Sequence, residues 1–318
     1  MMMMMMMMMN STHVSYFTLA AYFDTRLVRQ LLFLVLLVLY VLIIGSNVLL
    51  IVVICVNRSL HEPMFLFLCS LFVNELFGSS ALFPVLLVQI LSDVHVISLP
   101  LCFTQIFCVH SYVTVEFFIL AVMSYDRYVA ICYPLRYNTL MRKRKVTGLT
   151  SGSWLSAFLL VVIMTSLSFP LQLCGNVINK VYCNNYSIVK LSCSDTTVNN
   201  IYGLVSTALS VFLPVGLILY TYLRILTVCF SACGQTRQKA VSTCAPHLAS
   251  LVNFCTGCVF EVIQSRLSMR GVPPVFQILL SLYFLACPPL FNPAVYGLKV
   301  SRIRSLCRSL FLKTPQSF

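Results

Sequence analysis

Residues 31–56 read LLFLVLLVLYVLIIGSNVLLIVVICV, a stretch without a charge, interrupted only by Tyr40, Gly45, Ser46 and Asn47. A helix needs about 20 predominantly apolar residues to cross the hydrocarbon core of a bilayer, and this run exceeds that length. Comparable runs follow at about 63–91, 100–131, 146–170, 200–230, 240–265 and 273–298, which makes seven. Short polar or basic segments with Pro, Asn, Ser or Arg separate them. The runs are too long for barrel strands and lack their alternation. The spacing therefore predicts an all-α membrane protein. An outer segment, 1–30, precedes a seven-helix bundle, 31–298, and a cytoplasmic amphipathic helix and tail, 299–318, follow it.

Composition agrees with this reading. Of 318 residues, 59% are hydrophobic and 9% charged, against about 25% charged in soluble domains. That excludes water-soluble enzymes, nucleic-acid binders and disordered tails. A disulfide scaffold fails too, because the 15 cysteines are spread too thinly. No cleavable signal peptide is evident: the first apolar run is too long for one, and no small-residue cleavage pattern follows it. The nine methionines at the start are low-complexity and carry no structural expectation.

Placement of Lys and Arg sets orientation. The segments after spans one, three and five, together with the C-terminal tail, hold 15 of the 21 basic residues, including Arg142, Lys143, Arg144 and Lys145. The opposite side holds Arg26, Arg29, Lys180, Lys190, Arg266 and Arg270. The N-terminus is thus expected outside and the C-terminus in the cytoplasm. The net charge of +13 is topogenic and faces anionic lipid and cytoplasmic partners, with no need for nucleic acid. Asn10-Ser11-Thr12 and Asn185-Tyr186-Ser187 are sequons on the outer side, so Asn10 and Asn185 are candidate glycosylation sites.

Cys102 opens the third span, and Cys174, Cys183 and Cys193 lie in the long loop between spans four and five. These four share the oxidising side and allow three pairings, which either staple the loop or shape it into a lid over the bundle. Buried thiols are the default for the rest, and the Cys255/Cys258 CxxC within span six lacks the geometry of a metal site.

Charges inside the membrane are functional candidates, each costing about 3 kcal/mol at mid-bilayer. Glu75 in span two and Glu116 in span three either share a cation or a proton or are simply protonated and hydrogen-bonded. His110, in the outer half of span three, is either a ligand contact or a satisfied core histidine. Arg266 follows Cys255, Cys258 and Val262 at helical spacing, so it either caps a pocket or snorkels to the interface.

The end of span three reads MSYDRYVAICYPLRY over 123–137. It closely resembles the MAYDRYVAICxPLxY signature of the olfactory (odorant) receptors, a family of rhodopsin-like G-protein-coupled receptors. LHEPMF (60–65), TYLRIL (221–226), KAVSTCAPHL (239–248) and PLFNPAVY (289–296) resemble the family's other ordered motifs. The match runs from about Leu27 to Leu312, and its wording looks most like fish or class I odorant receptors, which tend to detect water-soluble compounds.

What the resemblance implies can be stated residue by residue. The chain would have the rhodopsin-like fold and perform no chemistry on its ligand. It would act at the plasma membrane, in sensory cilia, through a stimulatory G protein that raises cyclic AMP. Asp126, Arg127, Tyr128, His247, Asn292 and Pro293 would belong to the coupling and activation machinery. Arg127 would be held at rest and released to meet the G protein, with Tyr222 and Tyr296 repacking inward. Cys102 would bridge Cys183, and Cys174 would pair with Cys193. Glu75 stands where the family commonly has Asp, and with Glu116 it implies a sodium site. Phe254-Cys255-Thr256-Gly257 replaces the usual FYG, so the usual aromatic toggle is missing. An odorant would contact inward-facing His110, Val113, Ser206, Cys258, Val262 and Arg266, the last suited to a carboxylate. The tail places Ile303, Leu306, Cys307, Leu310 and Phe311 on one helical face, which would lie on the inner leaflet with Cys307 a candidate for palmitoylation. Competing readings are a receptor for a lipid, peptide or metabolite and, in a different class, a secondary transporter. The transporter should show inverted repeats, and none is visible.

Overall fold

A computed structural model describes residues 14–22, 26–230, 234–266 and 274–312. Seven long helices form the bundle: α1 (Arg26–Val56), α2 (Pro63–Leu91), α3 (Leu99–Cys132), α4 (Lys143–Ser168), α5 (Thr197–Phe230), α6 (Gly234–Arg266) and α7 (Pro274–Lys299). An eighth, α8 (Ser301–Leu312), follows at once. Six of the seven have spans long and apolar enough to cross a bilayer, and α7, with 26 residues, closes the ring against α1, α2 and α6. Central α3 touches α2, α4, α5 and α6.

Where helices begin follows local chemistry. Pro63 and Pro100 sit in the first turns of α2 and α3, where a proline's fixed φ suits the helix and its missing N–H costs nothing. Helix α1 starts at Arg26 rather than at Leu31. Its extra turn lets Arg29 reach the Ser92 carbonyl at 3.0 Å and the Asp93 carboxylate at 3.1 Å. Leu36, Ile43, Asn47 and Leu50 form a buried stripe on α1, while Leu34, Val38 and Val41 are more than half exposed. Such a stripe is the mark of a helix with one face on protein and the other on lipid.

Prolines inside helices need compensation for the hydrogen bonds they remove. Pro293 cannot donate to the Pro289 carbonyl, and the Asn47 amide does so instead, at 2.9 Å. That bond ties α1 to the interrupted turn of α7. In α5 the residues just before Pro214 widen into a π-helical turn, Ala208–Phe212, a form that often marks functional sites.

One feature departs from the all-α expectation. At the end of the bundle where α1 and α3 begin, three short strands, β1 (Tyr16–Leu19), β2 (Val96–Ser98) and β3 (Val177–Ile178), form a sheet of order β2-β1-β3. Strand β1 runs antiparallel to β2, pairing Phe17 with Ile97, and parallel to β3, pairing Thr18 with Val177. Strands this short leave no periodic trace, and only the neighbouring loops make them pair. Phe17, Leu19, Ile97, Ile106, Ile178 and Ile188 form a separate outer core beneath them. At the other end, α8 buries Ile303 and packs along α1 while Arg302 and Arg304 face out. Burial pushes the Cys307 thiol up. Leu310 and Phe311 have side chains outside the described residues.

Candidate functional site

The outer half of the bundle encloses a cavity of about 410 Å³. Helix α3 contributes His110, Val113 and Thr114, α5 contributes Ser206, Ser210 and Val211, α6 contributes Cys258, Glu261 and Val262, and α7 contributes Phe284. Five of the six pocket residues expected from sequence therefore converge here. Val262 is 59% exposed and borders the cavity only at its edge. The sixth, Arg266, ends α6, and its side chain lies outside the described residues. The His110 ring bonds the Ile106 carbonyl at 2.9 Å, and Ser206 Oγ donates to the Gly203 carbonyl at 3.1 Å. Both side chains are thus held on their own helices.

A lid covers this cavity. A disulfide joins Cys102 at the head of α3 to Cys183, with Cα atoms 5.5 Å apart, and another joins Cys174 to Cys193 at 5.6 Å. The Cys183 N–H donates to Gln105 Oε1 at 2.8 Å, so the loop is held to α3 by its backbone as well. Residues Tyr182, Asn184, Asn185 and Val189 of the loop line the cavity. Tyr22, from the N-terminal segment, donates to the Val181 carbonyl at 2.7 Å and stacks on His95. Asn185 is half-buried, and its Oδ1 is covered and makes no hydrogen bond among the described residues. The glycan expected at Asn185 would attach to Nδ2, the other atom of this half-buried amide. Asn10 lies outside the described residues.

Lys180, counted in the sequence only as an outer basic residue, is buried in the lid and ion-paired with Glu261. Burial, with the Glu261 carboxylate beside it, raises the Tyr182 phenol well above its ordinary range.

Below the cavity lies a polar centre with no exposure. Asn292 Nδ2 donates to Glu75 Oε1 at 2.6 Å and to Glu116 Oε1 at 3.0 Å. Asn74 Nδ2 donates to Glu116 Oε2 at 3.0 Å, and the Tyr112 hydroxyl to Glu75 Oε2 at 3.0 Å. Ser250 donates to Asn292 Oδ1 at 2.6 Å. The structure thus brings Glu75 and Glu116 within hydrogen-bonding reach of each other, joined by Asn292 of α7. All four carboxylate oxygens accept a bond, and the Asn74 Oδ1 is buried without a partner among the described residues. Two carboxyls so placed cannot both carry unbalanced charge. An all-oxygen set of this kind suits a hard cation such as sodium, or one shared proton. Among the described residues no group of three or more His, Cys, Asp or Glu is arranged to hold a metal ion.

An aromatic cluster joins cavity to centre. Phe254 of α6 packs on Phe117 at 4.9 Å, Tyr112 at 6.0 Å and Phe284 at 6.1 Å between ring centroids. Phe284 lines the cavity, and Tyr112 bonds Glu75. The ring that fills the middle of α6 is therefore Phe254, next to Cys255.

At the end of the bundle away from the cavity, Arg127 Nε donates to Asp126 Oδ2 at 3.0 Å, and the Tyr137 hydroxyl donates to Asp126 Oδ1 at 2.8 Å. Burial and this carboxylate push the Tyr137 phenol up. Tyr128 reaches the Tyr133 hydroxyl at 3.3 Å. Tyr296 and His247 Nδ1 are 3.1 Å apart, joining α7 to α6. Tyr222 is 6% exposed, its hydroxyl makes no hydrogen bond among the described residues, and it lies within electrostatic reach of Arg127. Pro293 interrupts α7 between Asn292 and Tyr296.

Comparison with known proteins places this architecture. The olfactory receptor family profile matches residues 36–314. Over 313 residues the chain is 35% identical to olfactory receptor 6E1 of Mus musculus, covering 97% of this chain and 99% of that protein. It is also 35% identical to olfactory receptor 11A1 of Homo sapiens over 300 residues, 93% of this chain and 94% of that one. The crystal structure of squid rhodopsin superposes with a TM-score of 0.73 at 17% identity, covering 93% of this chain and 90% of that chain, which shows the shared fold. With this family match along nearly its whole length and a rhodopsin-like bundle beneath it, the chain belongs to the olfactory receptors, a family of G-protein-coupled receptors and not of enzymes.

Proposed function

We propose that this receptor holds a small odorant in the outer cavity and, when bound, activates a stimulatory heterotrimeric G protein, raising cyclic AMP. The receptor would sit in the plasma membrane of sensory cilia with its N-terminus outside. The observation that carries the reading is the lidded cavity. Its volume of about 410 Å³ falls in the range of small-molecule sites, and a contiguous chain of contacts runs from its floor to the cytoplasmic end.

The mechanism follows from which contacts can exchange. A ligand shifts an equilibrium only by its differential affinity for two packings. One touching Phe284, Cys258 and Glu261 bears on α6 and α7 together. Movement of those helices repacks Phe254, the Asn292 bonds and the Tyr296–His247 contact. At the far end, Arg127 would leave Asp126 and meet Tyr222, whose buried hydroxyl has no hydrogen-bond partner among the described residues. Glu75 and Glu116 would hold a sodium ion or a proton in the resting state. A carboxylate odorant would pair with Arg266, where α6 ends.

The test is a cyclic AMP reporter in cells expressing the full chain, challenged with a panel of small carboxylates, amines and alcohols. At least one compound should evoke a signal, and Arg127→Ala should abolish it at unchanged surface expression. An undiminished response in Arg127→Ala would refute the coupling scheme.

A further inference from the structure

Lid and helix α6 meet above the cavity through opposite charges. The ion-paired side chains of Lys180 and Glu261 are 7% and 16% exposed. Asn184 Nδ2 approaches the same Glu261 oxygen at 3.3 Å, and Tyr182 bonds that carboxylate through its hydroxyl. His110 lies within electrostatic reach of both charges. Glu261, Tyr182, Asn184 and His110 all line the cavity, so the pair meets the cavity's contents through its carboxylate, with Lys180 bonded directly to it.

A buried ion pair constrains what can displace it. Removing one partner strands the other charge away from water, which is far more unfavourable than replacing both together. A ligand with a single charge would satisfy one of Lys180 and Glu261 and strand the other. A neutral ligand gains nothing from either and leaves the lid fastened to α6. A molecule bearing both charges substitutes for each partner in turn and leaves the site's net charge unchanged.

We infer that the ligand is a small zwitterion, an α-amino acid or a molecule with an ammonium and a carboxylate similarly close. Its ammonium takes the place of Lys180 on Glu261, and its carboxylate pairs with Lys180. This rests on the reading of the outer cavity as the odorant site. The remaining wall is mainly apolar, with Val113, Leu160, Met164, Val211 and Phe284, and Thr114, Ser206 and Asn199 spend donors on backbone carbonyls, so the zwitterion's side chain is apolar. Exchange of partners also unfastens the lid from α6, so occupancy is felt on the helix that carries Phe254 and His247.

The experiment uses the full-length receptor in lipid nanodiscs and its thermal unfolding midpoint. The probes are the protein amino acids at about 1 mM each, the amine and the carboxylic acid that each would leave on losing one charge, and neutral alcohols. At least one amino acid should stabilise the receptor, and its singly charged counterparts should need at least about tenfold higher concentration. Lys180→Met should shift the preference to the amine, and Glu261→Gln should shift it to the acid. Loss of folding cannot produce such opposite changes of ranking. The inference is overturned if no amino acid binds, if a singly charged counterpart binds as tightly, or if both variants keep the original ranking. Val113→Trp, which fills the cavity, separates this from the underlying reading. If neutral probes bind the unmodified chain and lose binding in Val113→Trp while amino acids never bind, the zwitterion is wrong and the cavity stands. If all binding survives Val113→Trp, the cavity reading itself fails.

Discussion

Glu75 and Glu116 are 0% exposed and share their donors, so a change at one is felt at the other. If a sodium ion balances them, replacing choline by sodium at constant ionic strength should stabilise the receptor. The gain is about 1.4 kcal/mol when sodium stands tenfold above its Kd. Glu116→Gln should remove that gain, and a sodium-independent unfolding midpoint in the unmodified chain would leave only the shared proton. About one turn along α2 from Glu75, the buried Gly78 tests packing alone. A Cβ there would come within 2.5 Å of Tyr112 Cγ. Gly78→Ala should therefore cost about 1–3 kcal/mol by overpacking, measured as a lower unfolding midpoint, and an unchanged midpoint would mean that α2 and α3 are less closely apposed. The carboxyls were legible in sequence because a charge in an apolar run is rare. Asn74, Tyr112 and Ser250 were not, since uncharged polar residues are ordinary in spans and only helix pairing makes these three converge. Lys180 was read as a topogenic charge because nothing local reveals where a disulfide-held loop will fold back.

Helices were read from apolar length, and their centres fell where hydrocarbon requires them. Their ends shifted where polar residues could add a turn at the interface, as Arg26 and Arg29 do on α1 and Lys143 to Lys145 do on α4. Hidden from such reading were the features that depend on a neighbour: the π-turn of α5, the Asn47 bond that repairs α7, and the outer sheet. In the proposed mechanism helix α6 links the two ends of the bundle, since Glu261 lines the cavity, Phe254 fills the core and His247 touches Tyr296. Phe254→Leu keeps most of the buried volume but removes the ring contacts. It should leave ligand-induced stabilisation within about twofold and depress the maximal cyclic AMP response at equal surface expression; a normal maximal response would show that coupling does not pass through this ring.

Taken whole, the described residues form a bundle with a disulfide-held lid at the cavity end and, at the other end, polar contacts that the proposed mechanism exchanges. The Cys102–Cys183 disulfide, the three-stranded sheet and the Tyr22–Val181 bond tie the lid to the head of α3 and the N-terminal segment, and Cys174–Cys193 closes the loop on itself. At the opposite end the Arg127–Asp126 pair, the Tyr137–Asp126 bond and the Tyr296–His247 contact are among the polar links between the described residues. Interfaces of this kind are bistable rather than continuously deformable, which is how a small molecule 20–40 Å away, to order of magnitude, can be read out inside the cell. Leu135, 98% exposed beyond α3, and Gln238, exposed on α6, offer positions for reporters of that change. With fluorophores introduced there as non-natural amino acids, energy transfer in nanodiscs should fall when an agonist from the panel is added, as α6 swings away from α3. Transfer that stays constant while the same agonist raises cyclic AMP in cells would contradict the two-packing mechanism.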